Sequence, residues 1–371
     1  MSLNVGIVGL PNVGKSTIFQ ALTSAPAEAA NYPFCTIEPN VGIVQVPDER
    51  IDKITEFVKP QKVIKAVMEF VDIAGLVKGA SKGEGLGNQF LGHIRQVSAI
   101  AHVVRCFEDS DVIHVEGKVD PTADIEVINI ELAFADLETV DKRLNNLGKV
   151  LKSHDKKLKQ QAAIAKPVLE KLKVALEDGK PARSVEMDDE ERESISDLHL
   201  ITLKDTVYVC NVDEDSMTED SDNDHVKAVK ALAEKEGSKV IKICGKMESE
   251  IAQLETEEEK KEFLADMGLE QSGLDQLIKT GYEMLGLQTY FTAGVQEVRA
   301  WTFKKGMKAP QCAGIIHTDF ERGFIKAEVY HCTDLFELGT EAKLKEAGKF
   351  RIEGKEYLMK DGDVVHFRFN V

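Results

Sequence analysis

The sequence predicts an α/β protein: a mainly parallel sheet with helices on both faces, a helical insertion, and a small C-terminal α+β domain. Three patterns lead to this prediction. Apolar strand-like runs alternate with helical segments in residues 1–125 and again in 200–287. A heptad repeat lies between them, in residues 126–199. Residues 288–371 hold short β-branched runs separated by glycine turns. We therefore expect a discontinuous first domain, a coiled-coil insertion and a final domain within these limits.

The strands of the first domain are short apolar runs. Between the first two, Lys15–Thr23 has apolar residues spaced as one buried helical face. Because the runs alternate with helices, their sheet should be built from parallel βαβ units. The predicted strands are Val5–Val8, Val41–Val46, Ala66–Val71, Ala99–Phe107, Thr206–Cys210 and Val240–Cys244.

The insertion carries leucine and isoleucine at intervals of seven residues. The repeat comprises Ile130, Leu137, Leu144, Leu151 and Leu158, and Ala133, Val140 and Leu147 fill the positions three further on. About four repeats are the minimum for a coiled coil. The simplest partner for this helix is Ala162–Glu177, folded back antiparallel. A single helix packed on a globular core is the alternative.

The C-terminal domain is predicted to contain four strands. They are Ala313–His317, Phe324–Val329, Tyr357–Met359 and Val364–Phe369. Each is a short run rich in β-branched or aromatic residues, which are enriched in strands.

Composition limits the classes of function. No apolar run is long enough to span a bilayer, so we expect no membrane partner. The start of the chain does not resemble a signal peptide, and the six cysteines form no CxxC pair; both observations predict a cytoplasmic protein. A net charge of −17 argues against a protein that coats DNA. However, residues 142–173 hold ten basic and two acidic residues, which is a candidate patch for RNA phosphate.

The strongest motif is Gly9-Leu10-Pro11-Asn12-Val13-Gly14-Lys15-Ser16-Thr17, which fits GxxxxGK[ST] between a strand and a helix. Backbone N–H groups of such a loop wrap phosphates, and the helix N-terminus adds partial positive charge. We expect Lys15 to lie between the β- and γ-phosphates and to be catalytic, and Ser16 to bind Mg²⁺. Asn12 is a candidate ligand for K⁺. The predicted phosphate-binding residues are Asn12, Val13, Gly14, Lys15, Ser16 and Thr17.

A second motif, Asp72-Ile73-Ala74-Gly75, ends a predicted strand. We expect Asp72 to approach Mg²⁺ through water and the Gly75 amide to face the γ-phosphate. Thr36 is a candidate second Mg²⁺ ligand, although a plain loop threonine is the alternative. Leu76 stands where many GTPases place a glutamine that orients water, so hydrolysis should be slow or assisted. His114 is the catalytic candidate, and a surface histidine is its alternative.

Base selection is predicted in the loop Asn211-Val212-Asp213-Glu214. Guanine-binding switches read NKxD here, where Asp accepts hydrogen bonds from guanine N1–H and its 2-amino group. Val and Glu replace Lys and Asp in this chain, and an amide such as Asn211 can bond an adenine edge. Unpaired buried polar groups are costly, so we expect ATP over GTP. Cys244-Gly245-Lys246 should supply the last base-side loop.

Together these motifs, with Asn31–Asn40 and the stretch Thr289–Thr302, resemble the YchF family of Obg-related P-loop NTPases almost end to end. The resemblance implies a G domain interrupted by a coiled-coil insertion, then a TGS domain. It also implies ATPase activity exceeding GTPase activity, Mg²⁺ dependence, K⁺ stimulation and a catalytic histidine at His114. It further implies binding to the ribosome, with roles in translation and stress responses; we expect the large (50S) subunit and its rRNA as partners. One departure is Gly245, where related proteins usually have Ala.

Three other functions remain open at this point. An Obg-type GTPase is disfavoured by Val212 and Glu214. A small-molecule kinase also uses a P-loop, but the chain offers no acceptor pocket or basic lid that the sequence can identify. A nucleotide-gated adaptor without significant hydrolysis gains some support from Leu76.

Overall fold

The computed structural model describes residues 3–24, 40–73, 86–109, 118–150, 155–218 and 222–370. These residues form two compact units. The first contains 3–24, 40–42 and the described part of Phe70–Leu277; the second contains Ile43–Glu69 and 278–370. No helix in the described ranges has the length and apolar character needed to cross a membrane.

A six-stranded sheet carries the P-loop, and its strand order is β2-β4-β1-β5-β6-β7. Strand β5 pairs in parallel with β1 and β6, and β6 pairs in parallel with β7, as the sequence predicts. Each strand lies within two residues of its predicted limits. The bounds are β1 Asn4–Val8, β2 Val41–Gln45, β4 Val67–Asp72, β5 Ala99–Arg105, β6 Thr206–Asn211 and β7 Lys239–Ile243, while the short β3 Lys62–Ile64 lies in another sheet.

Eleven α-helices in the described part of residues 1–284 connect the strands or form the insertion. Their bounds are α1 Lys15–Thr23, α2 Glu49–Val58, α3 Leu86–Gln96, α4 Pro121–Val150, α5 Lys156–Glu177, α6 Asp189–Ser194, α7 Glu214–Thr218, α8 Asp224–Glu236, α9 Gly245–Ile251, α10 Glu257–Asp266 and α11 Gly273–Met284.

The insertion is an antiparallel pair of helices, α4 and α5, which confirms the hairpin prediction. Asp141 on α4 pairs with Lys173 on α5 at 2.7 Å. Ile130, near the start of α4, lies beside Gly179, just past the end of α5. The predicted heptad seam was wrong at both ends: Ile130 is 43% exposed, and Leu158 belongs to α5 and is 49% exposed. Leu151 lies outside the described residues. The buried seam instead joins Ala133, Val140 and Leu147 of α4 to Ala162, Ala165, Val168, Leu169, Leu172 and Leu176 of α5.

Buried polar contacts anchor α4 to the rest of the first unit. The Asp136 carboxylate is fully buried and accepts hydrogen bonds from Ile201 N (2.9 Å), Thr202 N (2.7 Å) and the Thr202 hydroxyl (2.7 Å). Arg95, at the end of α3, donates to an α4 backbone carbonyl at 3.2 Å. Lys204 Nζ donates to three backbone carbonyls around the same end of α3. These contacts therefore join helix α3, helix α4 of the hairpin and residues 201–204, which precede strand β6.

The second unit contains a sheet of order β11-β10-β12-β8-β9-β3. Its core includes Tyr290, Phe303 and Phe367. The remaining strands are β8 Leu287–Ala293, β9 Glu297–Lys304, β10 Phe324–His331, β11 Arg351–Glu353 and β12 Asp363–Phe369, and the helices are α12 Ala309–Ile316, α13 Thr318–Arg322, α14 Cys332–Leu338 and α15 Glu341–Glu346.

Two of the four predicted C-terminal strands were wrong. Ala313–His317 lies almost entirely in helix α12, which begins with a proline in its first turn and a Gln311 side chain that accepts from Lys308 N at 2.8 Å. These start signals lie upstream of the apolar run on which the strand prediction rested. Around Tyr357–Met359 the structure has one isolated bridge, between Leu358 and Lys308, and no strand.

Residues Ile43–Glu69 lie in the second unit, although our sequence limits placed them in the first domain. Strand β3 pairs in parallel with β9. Arg50, on α2, donates to Asp361 Oδ2 at 2.6 Å and lies 5.4 Å from the centre of the Phe291 ring. This segment is thus held by partners more than two hundred residues later in the chain.

Candidate nucleotide-binding site

The loop between β1 and α1 is shaped by close backbone approaches. A β-carbon at Gly9 would lie 2.4 Å from Val103 O, and one at Gly14 would lie 2.2 Å from Asn211 Nδ2. Gly14 (φ 95°) and Asn12 (φ 62°) both adopt the left-handed region. Gly14 also precedes α1, whose N-terminus has no side-chain cap. Its first N–H groups therefore remain available for an anion, as a phosphate loop requires.

Lys15 is buried, and its Nζ donates to Leu10 O at 2.7 Å. Burial lowers the pKa of Lys15 to about 8, and the nearby Asp72 carboxylate acts in the opposite direction. Ser16 and Thr17 follow on the exposed side of α1. The ammonium therefore lies under the loop, while the two hydroxyl-bearing residues face solvent.

Asp72 ends β4, and its backbone N–H donates to Asn40 O at 2.8 Å. Burial raises the pKa of Asp72, and Lys15 opposes that shift, so the two side chains interact. A hydroxyl and a carboxylate are ligands that suit Mg²⁺, which usually takes one or two protein oxygens together with phosphate oxygens. The donor set of Ser16 and Asp72 fits that ion. The described residues contain no cluster of three or more His, Cys, Asp or Glu side chains that could hold a metal without phosphate.

The candidate site residues Thr36, Gly75, Leu76 and His114 lie outside the described ranges, as do Ala74 and residues 31–39. Their roles stay predictions.

Asn211, at the end of β6, ties the phosphate loop to the base-side loops. Its Nδ2 donates to Val13 O at 2.9 Å, and its Oδ1 accepts from Gly245 N at 3.0 Å. We expected this amide to meet the adenine edge. An amide can make four hydrogen bonds, and two are already made here, so one N–H and one lone pair remain for a nucleotide.

The rest of the 211–214 loop contains no lysine, and the carboxylate of Glu214 is paired with a lysine from another segment. Val212 is 3% exposed, within a hydrophobic cluster. Asp213 Oδ1 accepts from Ser216 N at 2.7 Å. Glu214 Oε1 lies 2.8 Å from Lys246 Nζ, in the first turn of α9.

These segments enclose one cavity of about 670 Å³. The P-loop contributes Asn12, Gly14 and Thr17, the loop after β5 contributes Phe107 and Asp109, and the base-side loops contribute residues 211–215, 244–246 and Ser249. The structure therefore brings three of the predicted P-loop residues and the predicted base-side residues around a single space of the size that small-molecule ligands occupy, while Val13, Lys15 and Ser16 lie outside its lining.

Sequence reasoning nominated His114 from the loop after β5 but missed Phe107 and Asp109 of the same loop, which line the cavity. Arg105 is 1% exposed, and it donates from Nε to Phe107 O (3.1 Å) and from a terminal nitrogen to Asp109 O (3.0 Å). Its guanidinium carbon lies 4.6 Å from the centre of the Phe107 ring. An arginine inside the apolar run Ala99–Phe107 was the available signal, because a fully buried arginine needs partners.

Comparison with known proteins gives the family. The MMR_HSR1 family model, described as a 50S ribosome-binding GTPase, matches residues 4–161. The YchF-GTPase_C model, described as a protein of unknown function, matches residues 287–370. A Bacillus subtilis protein called ribosome-binding ATPase YchF is 60% identical over the full length of both chains. The chain belongs to the YchF family.

Further relatives support the assignment to the YchF family. An Escherichia coli O157:H7 protein with the same name is 54% identical over the full length of both chains. The solved structure of the Schizosaccharomyces pombe YchF GTPase superimposes with a TM-score of 0.89, at 41% identity, covering 99% of this chain and 98% of that one. The expected fold, a P-loop G domain with a C-terminal TGS-like domain, is therefore confirmed. The names of these YchF relatives differ on the nucleotide: ATPase for the bacterial proteins and GTPase for the yeast protein.

Proposed function

We propose that this YchF-family chain is an ATPase switch that binds ATP in preference to GTP, hydrolyses it slowly, and binds the ribosome. The single observation that carries the proposal is the cavity in which Asn211 joins the P-loop to a base-side loop bearing Val212 and Glu214. Such a cavity accommodates a nucleoside triphosphate, and the chemistry of that loop decides which base it favours.

The phosphate end of the proposal rests on Lys15 and the open N-terminus of α1. The Lys15 ammonium can exchange the Leu10 carbonyl for β- and γ-phosphate oxygens, because both are oxygen acceptors and the lysine side chain is flexible. Ser16 would hold Mg²⁺ directly and Asp72 through water, and the bound ion would neutralise charge that develops on the phosphates. Thr36, the Gly75 amide, His114 and a K⁺ ion at Asn12 complete the proposed machinery.

The preference for ATP follows from what the base-side loop lacks. A guanine reader needs a carboxylate that accepts two hydrogen bonds and a lysine stem that covers the base. Val212 has no such stem, and Glu214 is one methylene longer than the aspartate of a guanine reader. Without these contacts, guanine would leave its N1–H and 2-amino groups poorly paired, which costs binding energy. Phe107, held by Arg105, offers an aromatic face for either purine.

The ribosomal part of the proposal, with the 50S subunit and rRNA as partners in the cytoplasm, rests on the relatives and on charge. The bacterial relatives are named for ribosome binding. The hairpin segment 142–173 carries ten basic and two acidic residues in a chain of net charge −17. A basic segment on an acidic protein suits the phosphates of rRNA. A role in translation-linked or stress regulation belongs to the same proposal.

The decisive experiment compares ATP and GTP side by side. We expect tighter ATP binding and an ATP turnover that ribosomes and K⁺ increase. Lys15→Ala should lower this turnover at least about 100-fold, because it removes a cation from the transferring phosphoryl group. Comparable affinities for the two nucleotides would instead support an Obg-type GTPase, in agreement with the name of the yeast structure. No turnover on ribosomes would favour a non-hydrolysing adaptor.

A further inference from the structure

An ion pair lies at the mouth of the nucleotide cavity. Glu214 begins α7, directly after the loop that follows β6, and Lys246 lies in the first turn of α9, after β7. Glu214 Oε1 and Lys246 Nζ are 2.8 Å apart. Both residues line the cavity, and their side chains are 45% and 71% exposed. The pair therefore bridges two base-side loops at the solvent edge of the site.

The charges around this pair are unbalanced. Asp109, Asp213 and Asp215 also line the cavity, and Lys246 is the single basic residue among the lining residues that the structure describes. Asp213 is already bonded to Ser216 N. Glu214 is therefore the carboxylate that determines where the Lys246 ammonium lies, and that ammonium is the positive charge that a polyanionic nucleotide meets at this end.

The pairing changes what Glu214 can do. To read guanine, a carboxylate must turn both oxygens toward N1–H and the 2-amino group. In this structure one oxygen of Glu214 is engaged by an ammonium, a stronger partner than a neutral donor. Val212 supplies no side chain to cover the base, whereas Lys246 has a four-carbon stem held at the cavity by its ammonium.

We propose that Glu214 is a positioning residue that acts on the nucleotide through Lys246 and does not itself read the base. Glu214 holds the Lys246 ammonium, and with it the aliphatic stem, over the base site. This inference rests on nucleotide binding at the proposed site. It explains why a carboxylate can occupy this loop without producing a preference for guanine.

A double-mutant cycle tests the proposal. Glu214→Gln keeps the length and hydrogen-bonding capacity of the side chain but removes its charge, and Lys246→Met keeps an unbranched apolar stem but removes the ammonium. Each substitution should weaken ATP binding about two- to fivefold, which is the range for an exposed ion pair. The double variant should bind no more weakly than the weaker single variant, since both changes break one contact. GTP binding should change by the same factor, so the ATP-to-GTP ratio stays constant.

The matched control is Glu250→Gln on α9, the helix that carries Lys246. Glu250 is exposed, lies outside the cavity lining and acts on Lys246 only through its charge. We expect its nucleotide affinities to equal those of the wild type. The difference between wild type and Glu214→Gln should also shrink as salt rises, which a purely structural role would not produce.

Three results would overturn the proposal. If Glu214→Gln weakened ATP binding by the same factor in the wild type and in the Lys246→Met variant, Glu214 would act independently of Lys246. A shift in the ATP-to-GTP ratio in Glu214→Gln would show that the carboxylate reads the base. Unchanged affinities in both single variants would show that the pair has no role. A wild-type protein that prefers GTP would contradict the proposed function alone, because the cycle can be measured with either nucleotide.

Discussion

Asn211 and Gly14 show how one side-chain contact determines the shape of the candidate site. Asn211 bonds to the backbone of both the P-loop and the loop after β7. Gly14 allows the approach, because its missing β-carbon leaves room for the amide. The two residues are 197 positions apart in the sequence. The geometry of the phosphate loop thus depends on a residue in the base-side loop.

Substitution of Gly14 should disrupt the phosphate loop and the base-side loop together. In Gly14→Ala the new β-carbon would lie 2.2 Å from Asn211 Nδ2 at a φ of 95°, which an alanine adopts only with strain. We expect a loss of about 1–3 kcal/mol in the free energy of unfolding and a large loss of ATP affinity. Urea unfolding and ATP titration measure these quantities. Gly92→Ala on α3 is the control: nothing lies within 4 Å of its added β-carbon, so it should stabilise by up to about 1 kcal/mol. Equal stabilities of the two variants would contradict the argument.

Individual site residues were predictable where a motif fixes their role. Lys15, Ser16 and Asn211 were predictable because GxxxxGK[ST] and the N-x-x-E loop follow β1 and β6, two strands of one sheet that both pair in parallel with β5. The partner of each side chain was not predictable. Nothing in the local sequence links Glu214 to Lys246, since they meet only after β6 and β7 pair.

At the scale of elements, the buried Asp136 carboxylate on α4 is one anchor of the hairpin in the first unit. Asp136→Ala would leave Ile201 N and Thr202 N without their acceptor in a buried environment. We expect a loss of about 3 kcal/mol in the free energy of unfolding, measured in urea. Asp141→Ala on the same helix is the control. It removes only a half-exposed ion pair with Lys173 and should cost about 1 kcal/mol or less. If Asp136→Ala lowered the free energy of unfolding no more than Asp141→Ala does, the buried carboxylate would contribute little to stability.

A second buried carboxylate, Glu248 on α9, accepts from Gly273 N at the start of α11 at 2.7 Å. Burial raises the pKa of Glu248 from 4.5 to about 7. A raised pKa means that the folded state binds the proton more tightly. This contribution to stability is therefore complete below about pH 4.5 and is lost as pH rises through about 7; it is at most about 3 kcal/mol.

Glu248→Gln should remove this pH dependence, because an amide oxygen can still accept from Gly273 N but does not titrate. We expect the free energy of unfolding of the wild type to fall more between about pH 5 and about pH 8 than that of the variant. Urea titrations at several pH values give the comparison, with Glu250→Gln on the same helix as the control. Parallel profiles for wild type and Glu248→Gln would contradict the argument.

Elements were predictable where local signals agree. Helix α1 has its predicted limits, Lys15–Thr23, because a glycine turn, an apolar face and the motif coincide there. The heptad count instead continued from α4 into α5, since a repeat of seven says nothing about a break between two helices that share a seam. Ala313–His317 has strand-like composition, but the helix start before it prevails.

The whole chain poses a problem that local patterns cannot solve. Helix α2 and strand β3 precede β4 in the sequence, yet β3 joins the C-terminal sheet and Arg50 bonds to Asp361. Such pairing depends on partners far along the chain, so the strand runs alone could not place residues 43–69. A P-loop domain followed by a C-terminal TGS-like domain was predictable; the membership of this segment was not.

Charge is a property of the whole molecule, and it leads to the last prediction. The net charge is −17, so a nucleic acid should be repelled by most of the surface and attracted mainly by the hairpin. Lys156 and Lys159 are exposed near the start of α5, and Lys152 and Lys157 lie close to them in the sequence. Reversal of these four lysines to glutamate should weaken ribosome binding strongly. It should also lower the slope of log affinity against log salt by about 3, because each lost phosphate contact removes about 0.7–0.9.

Pelleting with ribosomes over a salt series measures both quantities. Two matched variants reverse two lysines each. One reverses Lys156 and Lys159 on the hairpin, and the other reverses Lys235 on α8 and Lys261 on α10, which are also exposed. Both pairs change the net charge by the same amount, so a general charge effect would weaken the two variants alike. A contact with rRNA through the hairpin predicts that only the hairpin pair loses affinity and slope. ATP turnover without ribosomes should be the same in both, since neither pair lines the nucleotide cavity. Unchanged pelleting of the hairpin variant would mean that the ribosome is bound by another surface.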